Sequence, residues 1–579
     1  MKLYSKYVKK YWYSFILGPL FMMLEACGEF ILPFINARII NEGVEAKDID
    51  YIISNGILMA VIAVFMMITG ILGANFAIRG SVRLAAGVRK DVFERIQKFS
   101  FSNIDDFTTG SLITRITNDI TQIQNFAGTL LRGMFRSPIM LVGALIMSFA
   151  LNARLALIIF CIIPFLAIAI TLIIRTASPR YTGMQQSIDG LNNVVNETIT
   201  NQKVIKSFVR QKHEVEKFEK VNDVLMEKCT SALKVMLFMQ PVSAIAINLT
   251  TILVVWFSAE PIMLGGMKLG TLTAFITYLS QVLTALNFLA NIILQGTRAQ
   301  ASHKRIKEVM DADIDITDKK HEEEAPVCKK GEIEFSNVSF KYFKNNKDSV
   351  LSDINIKIGA GELIGIIGST GSGKTTLVSL IPRLYDVDSG SVKIDGVDVR
   401  DYKLEDLRDS ISMVLQKNTL FSGSVAENLR WGNQDADDEK LIWAAKIASA
   451  HSFVSDMKDG YESEIERGGA NLSGGQRQRL CIARALLKDP RIIILDDSTS
   501  AVDTATDRSI RDAFRRELDG VTKIIITQRI SSVSDADRII VLDEGKVVGF
   551  ADHDSLMKSC QTYREIYYSQ NDKEDAENG

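Results

Sequence analysis

Apolar positions crowd the first half of the chain in long unbroken runs, and the second half alternates short apolar runs with polar ones. Six long apolar segments precede residue 300, at about 12–40, 51–78, 134–151, 155–174, 237–264 and 272–294. Each reaches or approaches the roughly 20 residues that a helix needs to cross a bilayer, so the pattern predicts six membrane spans. Lys2, Lys6, Lys9 and Lys10 precede the first span, and Glu42, Glu45, Asp48 and Asp50 dominate the loop after it. By the positive-inside rule the N-terminus is cytoplasmic. The basic start resembles that of a signal peptide, but its apolar run is too long and lacks a suitably placed small-residue cleavage site; we read an uncleaved first span. The connections between spans two and three and between spans four and five are long and basic, with Arg83, Arg89, Lys90, Arg95, Lys203, Lys206, Arg210 and Lys212. Helical periodicity through stretches such as 191–220 predicts that the membrane helices continue into the cytosol. The connections at 152–154 and 265–269 are short and face outside.

Composition divides the chain in the same place. A length of 579 residues exceeds what one core supports. The predicted architecture is multidomain, with an all-α six-span transmembrane domain over 1–310, an acidic linker over 311–331, an α/β soluble domain over 332–569 and a disordered acidic tail over 570–579. A net charge of -2 offers no basic field for a nucleic-acid partner. Six cysteines (Cys27, Cys161, Cys229, Cys328, Cys481 and Cys560) lie without paired spacing and support neither a disulfide framework nor a zinc site. Inside the first span, Glu25 and Glu29 stand one helical turn apart on the same face. They either wall a wet cavity that favours cationic or amphipathic cargo, or bond a neighbouring helix near the outer leaflet. Asn248, Gln281, Asn287, Asn291 and Gln295 read as polar contacts between packed helices.

The chemistry lies in the soluble domain. Gly368-Ser369-Thr370-Gly371-Ser372-Gly373-Lys374-Thr375 matches the P-loop pattern, follows an apolar strand at 363–367 and precedes a helical pattern that begins at Thr376. Such a loop cradles phosphates with its amides, reaches the β- and γ-phosphates of ATP with Lys374 and ligates Mg2+ through Thr375. Farther on, residues 472–503 join a Gly-rich helix start, Ser473, Gly474, Gly475 and Gln476, to an apolar strand that ends in Asp496 and Asp497. Main-chain amides at a helix N-terminus bind anions, and a carboxylate at a strand end can hold a metal beside a phosphate.

With these motifs the chain resembles the ATP-binding cassette (ABC) family over essentially its full length, in the order membrane domain then nucleotide domain. The six spans with long cytosolic helices are similar to the type IV exporter group of multidrug and lipid transporters. The resemblance implies that Tyr342 stacks on adenine, that Gln416 contacts the magnesium ion or attacking water and couples the site to the membrane, and that Asp496 binds magnesium. Gly468, with Glu466 and Arg467, resembles the loop that touches the opposite cytosolic helices. The Ser473 to Gln476 signature implies a dimer in which it faces the γ-phosphate held by the other subunit's P-loop, with Asp503 crossing to that partner. The long cytosolic helices should each carry a short helical turn that touches the nucleotide domain, near 102–109 and near 209–216.

Two positions depart from the family pattern, and both belong to the hydrolytic machinery. Asp497 replaces a glutamate that polarises the attacking water, with a side chain one methylene, or roughly 1.5 Å, shorter. Gln528 replaces the switch histidine; it can donate a hydrogen bond but cannot carry an imidazolium charge. The resemblance then implies the degenerate-site half of a heterodimeric exporter in the plasma membrane, with a second half-transporter, membrane lipid and a small-molecule or lipid substrate as partners. An ATP-gated channel, a regulatory ABC subunit and a slow homodimeric exporter fit the same cassette; ATP-dependent flux against passive ion current separates the channel from the transporters. A soluble ABC ATPase is excluded by the six spans, and an importer usually keeps its ATPase on a separate chain.

Overall fold

Among the described residues, six helices are long and apolar enough to cross a membrane: Trp12–Val44, Ile49–Gln97, Thr109–Leu151, Ala153–Thr200, Gln211–Met263 and Leu269–Asp311. The computed structural model describes residues 2–318, 326–342, 349–497 and 502–577. The chain divides into two units, Met1–Gln97 with Thr109–Ala312 and Lys98–Thr108 with Asp313–Gly579. Four of the six helices run 43 to 49 residues and one 53, about twice what a bilayer needs, so they carry the cytosolic extensions that the periodicity predicts.

Helix packing in the first unit relies on small residues, since apolar side chains gain little by leaving lipid for protein. A Cβ on Gly18 would lie 3.3 Å from the Ala77 nitrogen, and one on Gly80 would lie 3.2 Å from the Ser14 Cβ, so the first two spans approach backbone to backbone. A buried charge joins the third and sixth helices. Asp119, fully buried, accepts from the Ser302 hydroxyl at 2.8 Å and from Arg305 Nε at 2.7 Å. It ends a π-helical turn, Arg115–Asp119, that also supplies Arg115 to Glu308 at 3.1 Å and to the Arg305 carbonyl at 2.9 Å.

The cytosolic turn predicted near 102–109 is the helix Phe101–Phe107, and it belongs to the second unit. Ser100 and Asn103 form a capping box at its start, and Asp105 accepts from the Tyr385 hydroxyl at 3.0 Å. The stretch at 209–216, where the second turn is expected, instead opens the long helix Gln211–Leu237, and the short helix Gln202–Ser207 ends before it; Val209 between them takes φ 53°, a left-handed conformation uncommon for a β-branched residue.

The second unit carries two larger sheets. An antiparallel one runs in the order Leu351–Ile358, Ile333–Phe340, Ser389–Ile394, Val397–Asp398. The other, mostly parallel, runs Lys546–Ala551, Arg538–Asp543, Leu363–Gly368, Thr522–Ile526, Ile492–Asp496, Ile411–Val414. Leu363–Gly368, Thr522–Ile526 and Ile492–Asp496 are buried throughout, as parallel strands covered on both faces require. Of the predicted linker, 319–325 lies outside the described residues; just after it, the amides of Lys329, Lys330 and Glu332 all donate to Asp395. The helix Gln561–Glu577 continues through 570–577, where composition predicts a disordered tail.

The Asp119 contact sets a stability test. Asp119→Ala leaves Arg305 without its carboxylate and Ser302 without its acceptor, and we expect a loss of about 2 to 3 kcal/mol, below the figure for a fully buried pair because Arg305 is 46% exposed. A lowered melting midpoint in detergent checks this, with Arg305→Lys expected to lose less than Arg305→Ala.

Candidate functional site

Neighbouring parallel strands bring four motifs to one edge. Ile526 pairs with both Ile366 and Asp496, and Val414 pairs with Leu495. The carboxyl ends of these strands therefore release, side by side, the P-loop, residues 527–528, the carboxylates 496–497 and Gln416. In open α/β sheets this is the edge at which ligands bind. A cavity of about 330 Å³ lies there, lined by Tyr342, by Thr370, Gly371, Gly373, Lys374, Thr375 and Thr376, and by Gln416, Asp496, Asp497 and Gln528. Gly368, Ser369 and Ser372 complete the loop behind this lining.

The P-loop is bent by its glycines. Gly373 caps the helix Lys374–Ser379 with φ 95°, and a Cβ there would lie 2.8 Å from Leu351 Cδ2. Lys374 Nζ donates to the carbonyls of Gly368 and Ser369 at 2.9 and 2.8 Å. Burial pulls its pKa below the usual lysine range, and the charges of Asp497 and Asp496 oppose that shift. Asp496, 2% exposed, accepts from the Thr375 hydroxyl at 3.0 Å, and its Oδ2 has no hydrogen-bond partner among the described residues. Burial raises the carboxyl of Asp496 above the ordinary aspartate range, with Thr375 opposing. Asp497 leaves the strand with φ 47°, a turn that aspartate tolerates, and its amide donates to the Ile526 carbonyl at 3.0 Å. Burial raises its carboxyl too, against the pull of Lys374 and a hydrogen bond with Gln416. The Tyr342 hydroxyl meets Thr376 Oγ1 at 2.9 Å, and its ring sits edge-on to Tyr385 at 5.2 Å.

The signature does not line this cavity. Ser473 caps the helix Gly474–Leu486, accepting from the Gln476 amide at 3.2 Å while Gln476 Oε1 accepts from the Ser473 amide at 2.9 Å. Arg477 donates to the carbonyls of Gly469 and Leu472, fixing the loop that carries Gly468 at φ 74°. Asp503 caps the helix Thr504–Glu517 and accepts from the amide and hydroxyl of Thr506. Ser500 and Ala501, shortly before it in sequence, lie outside the described residues.

Residues 15–286 match the family model of the ABC transporter transmembrane region, and residues 351–500 match the ABC transporter family model. The chain is 36% identical over 569 residues to the uncharacterized ABC transporter ATP-binding protein YfiB of Bacillus subtilis (strain 168), with 98% of each chain covered. The chain belongs to the ABC transporter family. This ABC transporter is also 33% identical to the ATP-dependent lipid A-core flippase of Desulfotalea psychrophila (strain LSv54 / DSM 12343), over 88% of this chain and 89% of that one. Its fold matches a solved bacterial Atm1-family ABC exporter with ATP bound, at TM-score 0.82 and 22% identity, over 96% and 99% of the two chains. It is therefore a multi-pass membrane protein with a cytosolic ATP-binding domain.

In the membrane domain of this ABC transporter the two acidic residues of the first span share one cation. Arg136, on the third span, lies 3.7 Å from Glu25 and also pairs with Glu29, while Gln281 donates to the Glu29 carbonyl at 2.6 Å. The expected bond to a neighbouring helix is present, and Glu29 also lines a cavity of about 470 Å³ with Asn36, Thr277, Gln281, Met59, Met66 and Met140. Sequence reading passed over Arg136, although an arginine two residues into an apolar run demands an anion. Gln295 bonds Thr129 at 2.9 Å across helices, whereas Asn248 bonds the Ala244 carbonyl of its own helix.

Two outcomes follow from these geometries. Lys374→Ala should weaken ATP binding by about tenfold or more, read by equilibrium titration of the purified transporter, since a charge-assisted contact to phosphate is lost. Arg136→Ala, which leaves two carboxylates together, should lower thermal stability more than Glu29→Gln, which leaves a neutral pair.

Proposed function

We propose that this chain is the degenerate-site half of a heterodimeric ABC exporter that moves small amphipathic molecules or lipids across the cytoplasmic membrane. The observation that carries the reading is the pairing of Asp497 with Gln528 in a cavity whose ATP-binding groups are intact. Thr375 and Asp496 would hold magnesium, and the buried, unpartnered Oδ2 of Asp496 beside the Thr375 hydroxyl fits a divalent cation. When bound, that ion offsets the charge of the β- and γ-phosphates.

Around the nucleotide, this chain's own groups have distinct tasks. Tyr342 offers a ring to adenine, the P-loop amides and Lys374 hold phosphate oxygens, and Gln416 orients water. Asp497 stands where a general base is required, but its carboxylate is a methylene short and engaged by Gln416. Gln528 can hold a γ-phosphate oxygen without supplying charge. The site retains ATP and hydrolyses it slowly. Ser473, Gly474, Gly475 and Gln476, with Asp503, serve the nucleotide on the partner's P-loop, where hydrolysis is fast. Binding of ATP at both sites closes the nucleotide domains and turns the spans outward; hydrolysis at the partner's site resets them.

Two relatives support the cargo class: the lipid A-core flippase of Desulfotalea psychrophila and the putative multidrug export ATP-binding/permease protein YgaD of Bacillus subtilis (strain 168), the latter 32% identical over 84% of this chain. The polar and methionine-rich cavity beside Glu29 suits an amphipathic cargo, because methionine adapts to varied apolar shapes.

The test is ATPase activity of the purified chain, alone and coexpressed with a half-transporter that carries glutamate and histidine at the matching positions. Little turnover alone and restored turnover in the pair are expected. In this chain, Asp497→Glu with Gln528→His should raise hydrolysis at its own site by about 10²-fold or more. Fast turnover by the unaltered chain as a homodimer would overturn the proposal.

A further inference from the structure

The helix Gln561–Glu577 presents Tyr563, Ile566, Tyr567 and Gln570 along one face, at the spacing of successive turns. Tyr563 is fully buried, and Ile566 and Tyr567 pack on the same apolar core that holds Ile530 and Val533. Tyr563 is fixed further by its hydroxyl, 2.8 Å from His553 Nδ1. The next turn of that anchored face aims Gln570 at the loop after Thr522–Ile526. There its Nε2 donates to the Gln528 carbonyl at 2.6 Å, and its Oε1 accepts from the Ile530 amide at 2.9 Å.

These two bonds straddle residue 529 and engage the pair of main-chain groups that a residue on a neighbouring parallel strand would engage. Only a carboxamide offers one donor and one acceptor with this spacing: glutamate would only accept, lysine and arginine would only donate, and asparagine is a methylene shorter. At the ends of the loop Thr527 is buried and Ser532 donates to Asp507 Oδ2 at 2.9 Å, and within it the Arg529 amide donates to Thr527 Oγ1 at 3.0 Å. Gln528 and Arg529 are exposed between those ends, Gln528 lines the nucleotide cavity, and the Arg529 charge acts on Asp497.

We infer that Gln570 is a positioning residue for ATP chemistry, clamping the switch loop so that Gln528 and Arg529 face the nucleotide. The C-terminal helix is thus a mechanical support of the ATP site. The inference rests on the reading of Gln528 as the switch residue, but the clamp itself can be measured independently of it.

The experiment compares the full-length chain, with its partner half-transporter, as Gln570→Ala, Gln570→Glu and unaltered protein. Amide hydrogen exchange at Ile530 is read without nucleotide, together with the melting midpoint and the dissociation rate of a fluorescent ATP analogue from this chain's site. In Gln570→Ala, Ile530 exchange should rise about fivefold or more and analogue dissociation should accelerate by a similar factor, with an unchanged midpoint. Gln570→Glu keeps the acceptor for Ile530 and loses the donor for Gln528, so it should preserve Ile530 protection while still accelerating dissociation. It also serves as the near-isosteric variant if the alanine form is poorly folded. Unchanged Ile530 exchange in Gln570→Ala overturns the clamp, and raised exchange with unchanged dissociation overturns its role in positioning. If the chain proves instead to be a fast homodimeric ATPase, the degenerate-site reading fails by itself; the clamp then predicts a lower kcat at unchanged KM in Gln570→Ala, and equal kcat overturns it.

Discussion

Main-chain hydrogen bonding between parallel strands is the constraint on which the nucleotide site depends. Leu363–Gly368, Thr522–Ile526, Ile492–Asp496 and Ile411–Val414 are held in register by bonds that involve no side chain. The register lines up their carboxyl ends, and with them groups that lie up to 160 positions apart in sequence, from Gly368 to Gln528. A slip of one residue in any strand would turn its buried side chains to the opposite face, so the apolar core that surrounds the sheet also fixes the chemistry at its edge. Substitutions such as Asp497 and Gln528 can then change what the site does without changing where its parts stand.

The membrane domain meets a different constraint. Where lipid removes most of the drive to bury apolar side chains, close backbone approach at Gly18 and Gly80 and a few ionic contacts fix helix positions. Those contacts sit at two levels: Glu25, Glu29 and Arg136 within the spans, and Asp119 with Arg305 in the cytosolic extensions. Each joins helices far apart in sequence.

Local order explains which features were legible in the sequence. The six spans are read from run length, and the P-loop from eight consecutive residues between an apolar strand and a helix, so both need only neighbouring positions. Asp497 and Gln528 were legible as departures because the motifs around them are intact. Arg136 and Gln570 were not, since each acquires its role from partners more than forty or a hundred positions away. Gln570 was further hidden by an acidic, polar composition that resembles a disordered tail, while the helix there is anchored by Tyr563. The second cytosolic turn is expected at 209–216, where a long helix begins instead, and no sequence rule places a valine at φ 53° just before it.

The capping box at Ser473 has a consequence for the number of protons that its hydroxyl can use. A serine hydroxyl has two lone pairs and one hydrogen. Holding the start of its helix takes one lone pair, because the Gln476 amide is the donor. The hydrogen is not used by the cap. The same side chain can therefore keep its own helix wound and donate outward to an anion approaching along the helix axis, and neither contact has to break for the other to form.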